Sequence, residues 1–297
     1  MRILFVVFVC LALSAQSQPF SVNEIRRLEE TAQKIEIIRD KWGIPHIYGK
    51  TDADCVFGLM YAQCEDDFKR VERNYLSMLG RMSEVNGEKD LYEDVLVKMV
   101  IDSADAVQDY NNSPIWLKQL LNAWADGINY FLYKNPSIVP ERIFRFKPWY
   151  PLMYTDGSIS AIQTGGLAAR DIRNFYEGNK IAGSLNIKER KAEQLSGSNG
   201  FAIAPTISKT GHALLYINPH VTFYFRPEVH MVSGEGMNAY GAVTWGQFFI
   251  YQGFNEQCGW MHTSSDADVA DLYAETIREK GDKISYRYNN KWLPVKK

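Results

Sequence analysis

The sequence predicts an α+β chain, with helices in its first part and strands in its last part. Apolar residues recur at helical spacing between residues 56 and 79 and again between 117 and 131. The polar stretch NIKERKAEQ, at 186–194, then separates these helices from short segments that alternate like strands. We therefore expect a leader at 1–17, a mainly helical portion at 18–177, an exposed connector at 178–197 and a β-rich portion at 198–297.

The first residues, MRILFVVFVCLALSAQSQ, have the pattern of a secretory signal peptide. One arginine precedes an apolar run of about a dozen residues, and small residues follow it, so we expect cleavage after Ser17. A membrane anchor is the alternative, but it needs roughly twenty apolar residues. We therefore expect a periplasmic or secreted protein with no stable membrane insertion.

The composition gives no indication of a nucleic-acid partner. The formal net charge is −2 and the chain has no basic run, so it lacks the electrostatic field that such binding needs. The aromatic content of 13% is too high for a disordered chain. No two histidines have HxH or HExxH spacing, so we expect no catalytic metal.

The helical portion is divided by local start and stop signals. A short helix near 22–36 is followed by IEIIRDKWGIPHIYG, at 35–49, which alternates and turns like a β-hairpin. Thr51 to Asp54 have the pattern of a capping box, which predicts a long helix that ends at Gly80. A second long helix is predicted to begin at Ser113 and Pro114. Prolines predict a loop over about 134–157, and another helix is expected at 157–167.

The cysteines are not expected to form disulfides. Cys55 and Cys64 fall on opposite faces of the predicted long helix, about 13 Å apart, which is too far for a bond between them. The cysteine spacing, including Cys258, matches no zinc motif. We therefore expect all three to be buried as small apolar residues.

The junction at SGSNGFAIAP, residues 196–205, contains a candidate nucleophile. A hairpin centred on Lys209 would place Ser198 opposite His220, with Cβ atoms about 5 Å apart. Gly197 tolerates the backbone angles needed for the Ser198 hydroxyl to attack the preceding carbonyl. Cleavage there would free an α-amine with a pKa near 8, which can serve as a base. The alternative is an ordinary glycine–serine hinge.

Several motifs in this order resemble the penicillin acylase family of N-terminal-nucleophile hydrolases. They are the RDxxGIPHI, GxxYAQ and GRMSE matches within 34–85, then SGSNG before a strand, Asn218-Pro219-His220, and GWMHTSSDADVADLYAE at 259–275. The resemblance implies a four-layer αββα sandwich, with the helical portion wrapped around it. It also implies a precursor that cuts itself between Gly197 and Ser198, with the α and β chains then associating as a heterodimer. In such a precursor the 178–197 connector is alternatively a spacer peptide that is excised.

The resemblance assigns roles to individual residues. Ser198 is implied to be the nucleophile, with its free amine as the base, and Asn199 to orient the new terminus. His220 occupies a position that orients the nucleophile or binds substrate through its backbone, and the backbone N–H of Ser264 is implied to support the oxyanion. Further carried-over residues are Val221 and Phe223 as acyl-pocket walls, and Asp268 and Asp271 as ligands of a structural calcium.

The implied reaction is hydrolysis of a small-molecule acyl amide through an acyl-enzyme, without a catalytic cofactor. His220 and the His262-Thr263 pair favour an acyl-homoserine lactone or lipopeptide acylase over a penicillin G-type enzyme, whereas His46 and His262 themselves are interpreted as structural. The sequence ends at NNKWLPVKK, before the family's second oxyanion donor, an asparagine, so we expect an incomplete chain.

Two other functions remain open. The first is a truncated, non-catalytic secreted member of the family that binds acyl ligands. The second is a conventional serine hydrolase with an internal Ser198, which is disfavoured because no GxSxG motif surrounds that residue.

Overall fold

The computed structural model describes residues 20–153, 168–178, 197–221, 224, 226–263, 273 and 275–295. The leader, the helix expected at 157–167 and nearly all of the connector lie outside these residues. Within them, no helix has the length and apolar character needed to cross a membrane.

The helical portion begins with the elements that the sequence predicts and contains additional short helices. The hairpin at 35–49, the long helix after Thr51 and the helix after Pro114 are confirmed. The short helices between residues 83 and 112 and the one after Ala168 were not expected. The elements are α1 (Val22–Ala32), β1 (Glu36–Arg39), β2 (Pro45–Gly49), α2 (Asp52–Met78), α3 (Ser83–Asn86), α4 (Leu91–Val100), α5 (Ser103–Asn112), α6 (Ile115–Lys134) and α7 (Ala169–Tyr176).

Helix α2 begins and ends where its sequence indicates, but it is interrupted in the middle. The Thr51 side chain accepts a hydrogen bond from the amide of Asp54, and the Asp54 carboxylate accepts one from the amide of Thr51, which completes the predicted capping box. Gly80 has a φ of 60°, a conformation that stops the helix at low cost. At Asp67 the backbone is non-helical, and its carboxylate caps the amide of Arg70, so a second helical segment begins there.

The β-rich portion contributes most of the main sheet, and the α+β prediction is confirmed. The six-stranded sheet has the order β1-β2-β5-β6-β7-β8, in which β2 runs parallel to β5 and the other neighbours are antiparallel. One sheet therefore joins the two portions. The strands are β3 (Ser198–Ile203), β4 (Leu214–Pro219), β5 (Glu228–Ser233), β6 (Asn238–Ala242), β7 (Gln252–Asn255), β8 (Gly259–Trp260), β9 (Ile277–Lys280), β10 (Lys283–Tyr288) and β11 (Lys291–Pro294).

The core lies between this sheet and a helical layer formed by α2 and α6. Ile47 from β2 and Met231 from β5 are buried in the same cluster as the apolar face of α2. The helices approach closely because α6 has glycine at 127, where a Cβ would lie 2.4 Å from the carbonyl oxygen of Phe57. Burial of this apolar surface is the main favourable term in folding.

The loop at 244–247 is held to the helical layer by buried hydrogen bonds. The Gln63 side chain accepts a bond from the amide of Gly246 at 2.7 Å and donates one to the carbonyl of Gln247 at 2.9 Å. The carbonyl oxygen of Gly246 also accepts bonds from the Tyr75 hydroxyl and the Trp124 indole, both at 2.8 Å. Buried backbone groups need such partners, so these side chains fix the loop against α2 and α6.

The three described cysteines are free, but they are not all buried. Cys55 and Cys64 are buried as expected, whereas Cys258 is exposed, so that part of the prediction is wrong. Cys258 lies in the short turn between β7 and β8, where its amide donates to Oδ1 of Asn255. Burial raises the pKa of the Cys55 thiol to about 11, so this thiol is protonated at neutral pH.

We predict that Gly246→Ala destabilises the chain much more than Gly236→Ala does. Both glycines have positive φ, so both changes impose a left-handed strain of about 1 kcal/mol. A Cβ at 246 would also lie 2.7 Å from the ring of Tyr75, which is buried and hydrogen-bonded, whereas nothing lies within 4 Å at 236. Urea denaturation should give a loss of about 3 kcal/mol or more for Gly246→Ala and about 1 kcal/mol for Gly236→Ala. Equal losses would contradict the packing described here.

Candidate active site

Ser198 is the first residue of β3 and lies half-buried at the end of the β3–β4 hairpin. In the observed register Ser198 pairs with Pro219 and Asn199 pairs with Asn218. The predicted pairing of Ser198 with His220 is therefore wrong by one residue. The connection between Ile203 and Leu214 contains an even number of residues, so the centre of the hairpin falls between two residues rather than on Lys209.

The one-residue difference places the ring of His220 next to asparagines rather than opposite Ser198. Its Nε2 atom lies 3.2 Å from Nδ2 of Asn199 and 3.1 Å from Oδ1 of Asn218. Nε2 can accept a hydrogen bond from the first amide or donate one to the second, depending on its protonation. The ring of His220 therefore contacts Asn199, the residue that follows the candidate nucleophile.

The backbone of His220 contacts the peptide bond that precedes Ser198. Its amide N–H donates to the carbonyl oxygen of Gly197, with an N···O distance of 3.3 Å. On the other side of this peptide, the amide of Ser198 donates to Oγ1 of Thr263 at 2.9 Å. The Thr263 hydroxyl in turn donates to the carbonyl oxygen of Ser198 at 3.2 Å. Both polar atoms of the Gly197–Ser198 peptide are thus held by neighbouring groups.

Thr263 is a site residue that the sequence analysis did not identify. It stands directly before Ser264 in the HTSS motif, which is the only signal in the sequence that could have drawn attention to it. Its position depends on the preceding strand, because Gln252 donates to the carbonyl of His262 at 2.8 Å and the indole of Trp260 donates to the carbonyl of Ile250 at 3.1 Å. These bonds tie the 260–263 segment to β7 and to the residues just before it.

Gly200 allows this segment to approach the hairpin. A Cβ at this position would lie 1.7 Å from the sulfur of Met261, so any larger residue would force the Met261 side chain to move. The glycine of the SNG sequence therefore lets β3 pack closely against the residues before Thr263.

A cavity of about 320 Å³ borders the 260–263 segment at His262. His262, adjacent to Thr263 in the sequence, forms part of its wall, and the ring of His262 lies 4.5 Å from that of Tyr251. The lining is mostly aromatic, which suits an apolar ligand. The lining residues are Tyr75, Pro151, Gln247, Phe248, Phe249, Tyr251 and His262.

The other predicted site residues are placed only in part. Val221 follows β4 and is 39% exposed. Phe223, Ser264, Asp268 and Asp271 lie outside the described residues, so the predictions for the acyl wall, the oxyanion donor and the calcium site stay predictions. Across the described ranges, no group of three or more His, Cys, Asp or Glu side chains is arranged to hold a metal ion.

The two histidines interpreted as structural have different surroundings. His46 lies across the parallel β2–β5 pair from His230, with their Nδ1 atoms 2.9 Å apart. The Nε2 atom of His230 lies 2.8 Å from Oδ1 of Asn238. This chain of contacts links the helical portion to the β-rich portion. His262, by contrast, borders the cavity.

Comparisons with known proteins agree with the motifs. The family model described as penicillin amidase matches residues 34–297. The chain is 22% identical to acyl-homoserine lactone acylase QuiP of Pseudomonas fluorescens, over 96% of this chain and 40% of that protein. It is 23% identical to the penicillin acylase 2 proenzyme of a Pseudomonas species, over 88% of this chain and 40% of that protein.

A solved structure, thermostable penicillin G acylase from Alcaligenes faecalis, is also similar. It is 19% identical, with a TM-score of 0.38, over 54% of this chain and 84% of that chain. The chain spans about 40% of the length of the curated relatives that it matches.

Proposed function

The chain belongs to the penicillin amidase family, and from this premise we propose that it is an exported N-terminal serine amidohydrolase made as a single precursor. The observation that carries the proposal is the pair of hydrogen bonds on the Gly197–Ser198 peptide, from the His220 amide to its carbonyl and from its own N–H to Thr263. Cleavage of this peptide gives an α chain and a β chain that remain associated as a heterodimer.

The cleavage step uses groups that already surround the peptide. The Ser198 hydroxyl oxygen attacks the Gly197 carbonyl carbon, and the negative charge that develops on the carbonyl oxygen is stabilised by the His220 N–H. The C–N bond then breaks, the proton of the hydroxyl passes to the departing amine, and an ester links Gly197 to Oγ of Ser198. Water hydrolyses the ester, which leaves a carboxylate on Gly197 and a free α-amine on Ser198.

The mature site hydrolyses an acyl amide by the same chemistry. The α-amine of Ser198 accepts the hydroxyl proton, and Oγ attacks the substrate carbonyl carbon. The substrate C–N bond then breaks, the leaving amine takes the proton from the Ser198 ammonium, and the acyl group stays on Oγ as an ester. Water hydrolyses this acyl-enzyme to the free acid. Thr263, which contacts the Ser198 nitrogen in the uncut chain, orients the amine. The backbone N–H of Ser264 supports the oxyanion, and Asn199 fixes the terminus. Asp268 and Asp271 would supply carboxylate oxygens to a calcium ion with a structural role.

The cavity beside His262 receives the acyl group. Its aromatic walls favour an apolar acyl chain, and it lies one residue away from Thr263, which contacts the nucleophile. Val221 and Phe223 are further candidates for contact with the acyl group. The names of the relatives point to an N-acylated small molecule, and we propose an acyl-homoserine lactone as the first substrate to test.

We predict that the purified chain consists of two polypeptides, the second of which begins at Ser198. Intact-mass measurement and N-terminal sequencing identify the cut, and a Ser198→Ala variant should remain as one chain because it lacks the attacking oxygen. An uncut chain that hydrolyses acyl amides would instead favour an internal serine nucleophile. An uncut chain without activity would favour the non-catalytic, acyl-binding alternative.

We also predict that Thr263→Val slows this cleavage and that Thr263→Ser does not. Valine has nearly the shape of threonine but cannot accept the bond from the Ser198 amide or donate to its carbonyl. Loss of such a bond is worth about 1 kcal/mol, so the rate of cleavage should fall roughly fivefold. The rate is followed as the fraction of uncut chain against time after refolding. Equal rates for the valine and serine variants would show that Thr263 does not position the peptide.

A further inference from the structure

Two histidines face each other where the helical portion meets the β-rich portion. In the main sheet β2 pairs with β5, and His46 of β2 lies directly opposite His230 of β5. Their neighbours Ile47 and Met231 are buried in the core, so both imidazoles lie on the other face of the sheet, where they are half-buried. The Nδ1 atoms of the two rings are 2.9 Å apart, which is a hydrogen-bond distance.

The neighbouring contacts determine which ring nitrogens carry protons. The Nδ2 group of Asn238 donates to Oε1 of Glu256, so the Oδ1 atom of Asn238 is the acceptor that lies 2.8 Å from Nε2 of His230. Nε2 of His230 therefore carries a proton, and in the neutral ring Nδ1 has none. The bond between the rings consequently runs from Nδ1–H of His46 to the bare Nδ1 of His230.

This set of contacts can take up one proton without losing a bond. Nε2 of His46 lies 3.8 Å from Oδ2 of Asp40. The other carboxylate oxygen of Asp40 accepts from the amides of Trp42 and Ile44, which favours the ionised carboxylate. A proton on Nε2 of His46 therefore forms an ion pair with Asp40 and leaves the bond from Nδ1 in place.

A second proton has no such place. It binds Nδ1 of His230, where it removes the acceptor and brings two N–H groups and two positive charges together. The Glu228 carboxylate accepts a hydrogen bond from the Tyr240 hydroxyl, and the Glu256 carboxylate is held by Asn238. These carboxylates favour positive charge nearby but do not replace the lost acceptor. The titratable side chains on or beside this face of the sheet are Glu36, Asp40, Tyr48, Glu228, Tyr240 and Glu256.

We propose that the contact between His46 and His230 is a pH-sensitive link between the two portions of the chain. The link is intact while at most one of the imidazoles is charged and breaks when both are. Acidification then loosens the pairing of β2 with β5, by which the described sheet joins the two portions. After cleavage before Ser198 these strands belong to different chains, so the link then also affects chain association, and this last consequence alone rests on the proposed function.

The direction of the pH dependence follows from the number of protons that each state binds. In the unfolded chain both imidazoles take up protons below about pH 6.5. The folded chain takes up one and keeps the link, so below this pH the unfolded state binds up to one proton more. The equilibrium constant for unfolding therefore rises, by up to about tenfold for each unit that the pH falls.

The first experiment compares the Ser198→Ala chain, which stays uncut, with the same chain carrying His230→Gln. Glutamine offers an acceptor oxygen to His46 and an N–H to Asn238 but does not titrate, so the link survives in acid. Urea denaturation at pH 8, 7, 6 and 5 gives the unfolding constant of each chain, and the titration of the other groups cancels in their ratio. The constant for the chain with His230, divided by that for the glutamine variant, should rise about eightfold from pH 6 to pH 5 and stay nearly level from pH 8 to pH 7.

His46→Gln is the matched control. It also replaces one imidazole by an amide, and its N–H still donates to Nδ1 of His230, but the nitrogen at which acid breaks the link remains. This variant should therefore keep the acid sensitivity that His230→Gln loses. Circular dichroism at pH 8 verifies that both variants are folded, and loss of the sensitivity in both variants alike would overturn the assignment to His230.

Hydrogen exchange at pH 5 locates the change. Amides at 45–49 and 228–233 should exchange faster in the chain with His230 than in the His230→Gln variant, with 277–294 unchanged. A ratio of unfolding constants that stays level down to pH 5, or a change without faster exchange at these two strands, overturns the proposal. Because every chain compared is uncut, these results do not depend on the proposed function, which fails separately if the chain with Ser198 is never cleaved.

Discussion

The peptide groups of Gly246 determine how the two portions of the chain meet. Its amide is bound by Gln63, and its carbonyl is bound by both Tyr75 and Trp124, all from helices of the helical portion. These contacts are buried, so breaking one leaves a polar group without water to replace the partner. Only glycine fits, because its φ is 95° and the ring of Tyr75 fills the space where a Cβ would stand. The 244–247 loop is therefore fixed in one position relative to α2 and α6.

A series of hydrogen bonds connects this loop to the candidate nucleophile, Ser198. The loop leads towards β7, whose first residue, Gln252, donates a hydrogen bond to the carbonyl of His262. The next residue, Thr263, binds the amide of Ser198. The helical portion thus affects the site without contributing a side chain that contacts Ser198 in the described residues. The same loop carries Gln247 into the wall of the cavity, so nucleophile and cavity share one support.

Sequence patterns predicted those structural features that depend only on residues close together in the chain. The capping box at Thr51, the glycine stop at 80 and the hairpin at 35–49 depend on neighbouring residues only, and each is present. The junction at Ser198 was recognised because a motif surrounds it. The short helices at 83–112 were missed, because each is too brief for a clear apolar period. The break in α2 at Asp67 was not predicted, because a single aspartate between apolar residues at helical spacing is also what the exposed face of a continuous helix contains.

For the candidate site, the sequence indicated residues but not how they are arranged in space. The register of the β3–β4 hairpin depends on the conformation of its connection, which the alternation of apolar and polar residues does not determine. The predicted register was therefore wrong by one residue, with His220 opposite Ser198 where the structure has Pro219. Thr263 bonds to Ser198 from a distant segment, and the HTSS motif that contains Thr263 does not indicate that contact. The sequence therefore supplied candidate residues, whereas the geometry of those that the structure describes required the fold.

The central claim is that the helical portion positions Ser198 through the 244–247 loop, and amide hydrogen exchange tests it most directly. Exchange is compared with and without Gln63→Met, with Ser198→Ala in both chains so that the peptide stays intact, and the separate β9–β11 sheet serves as the internal reference. The account predicts faster exchange both at 244–252 and at 197–203, with 277–294 unchanged. Faster exchange at 244–252 with 197–203 unaffected would contradict it.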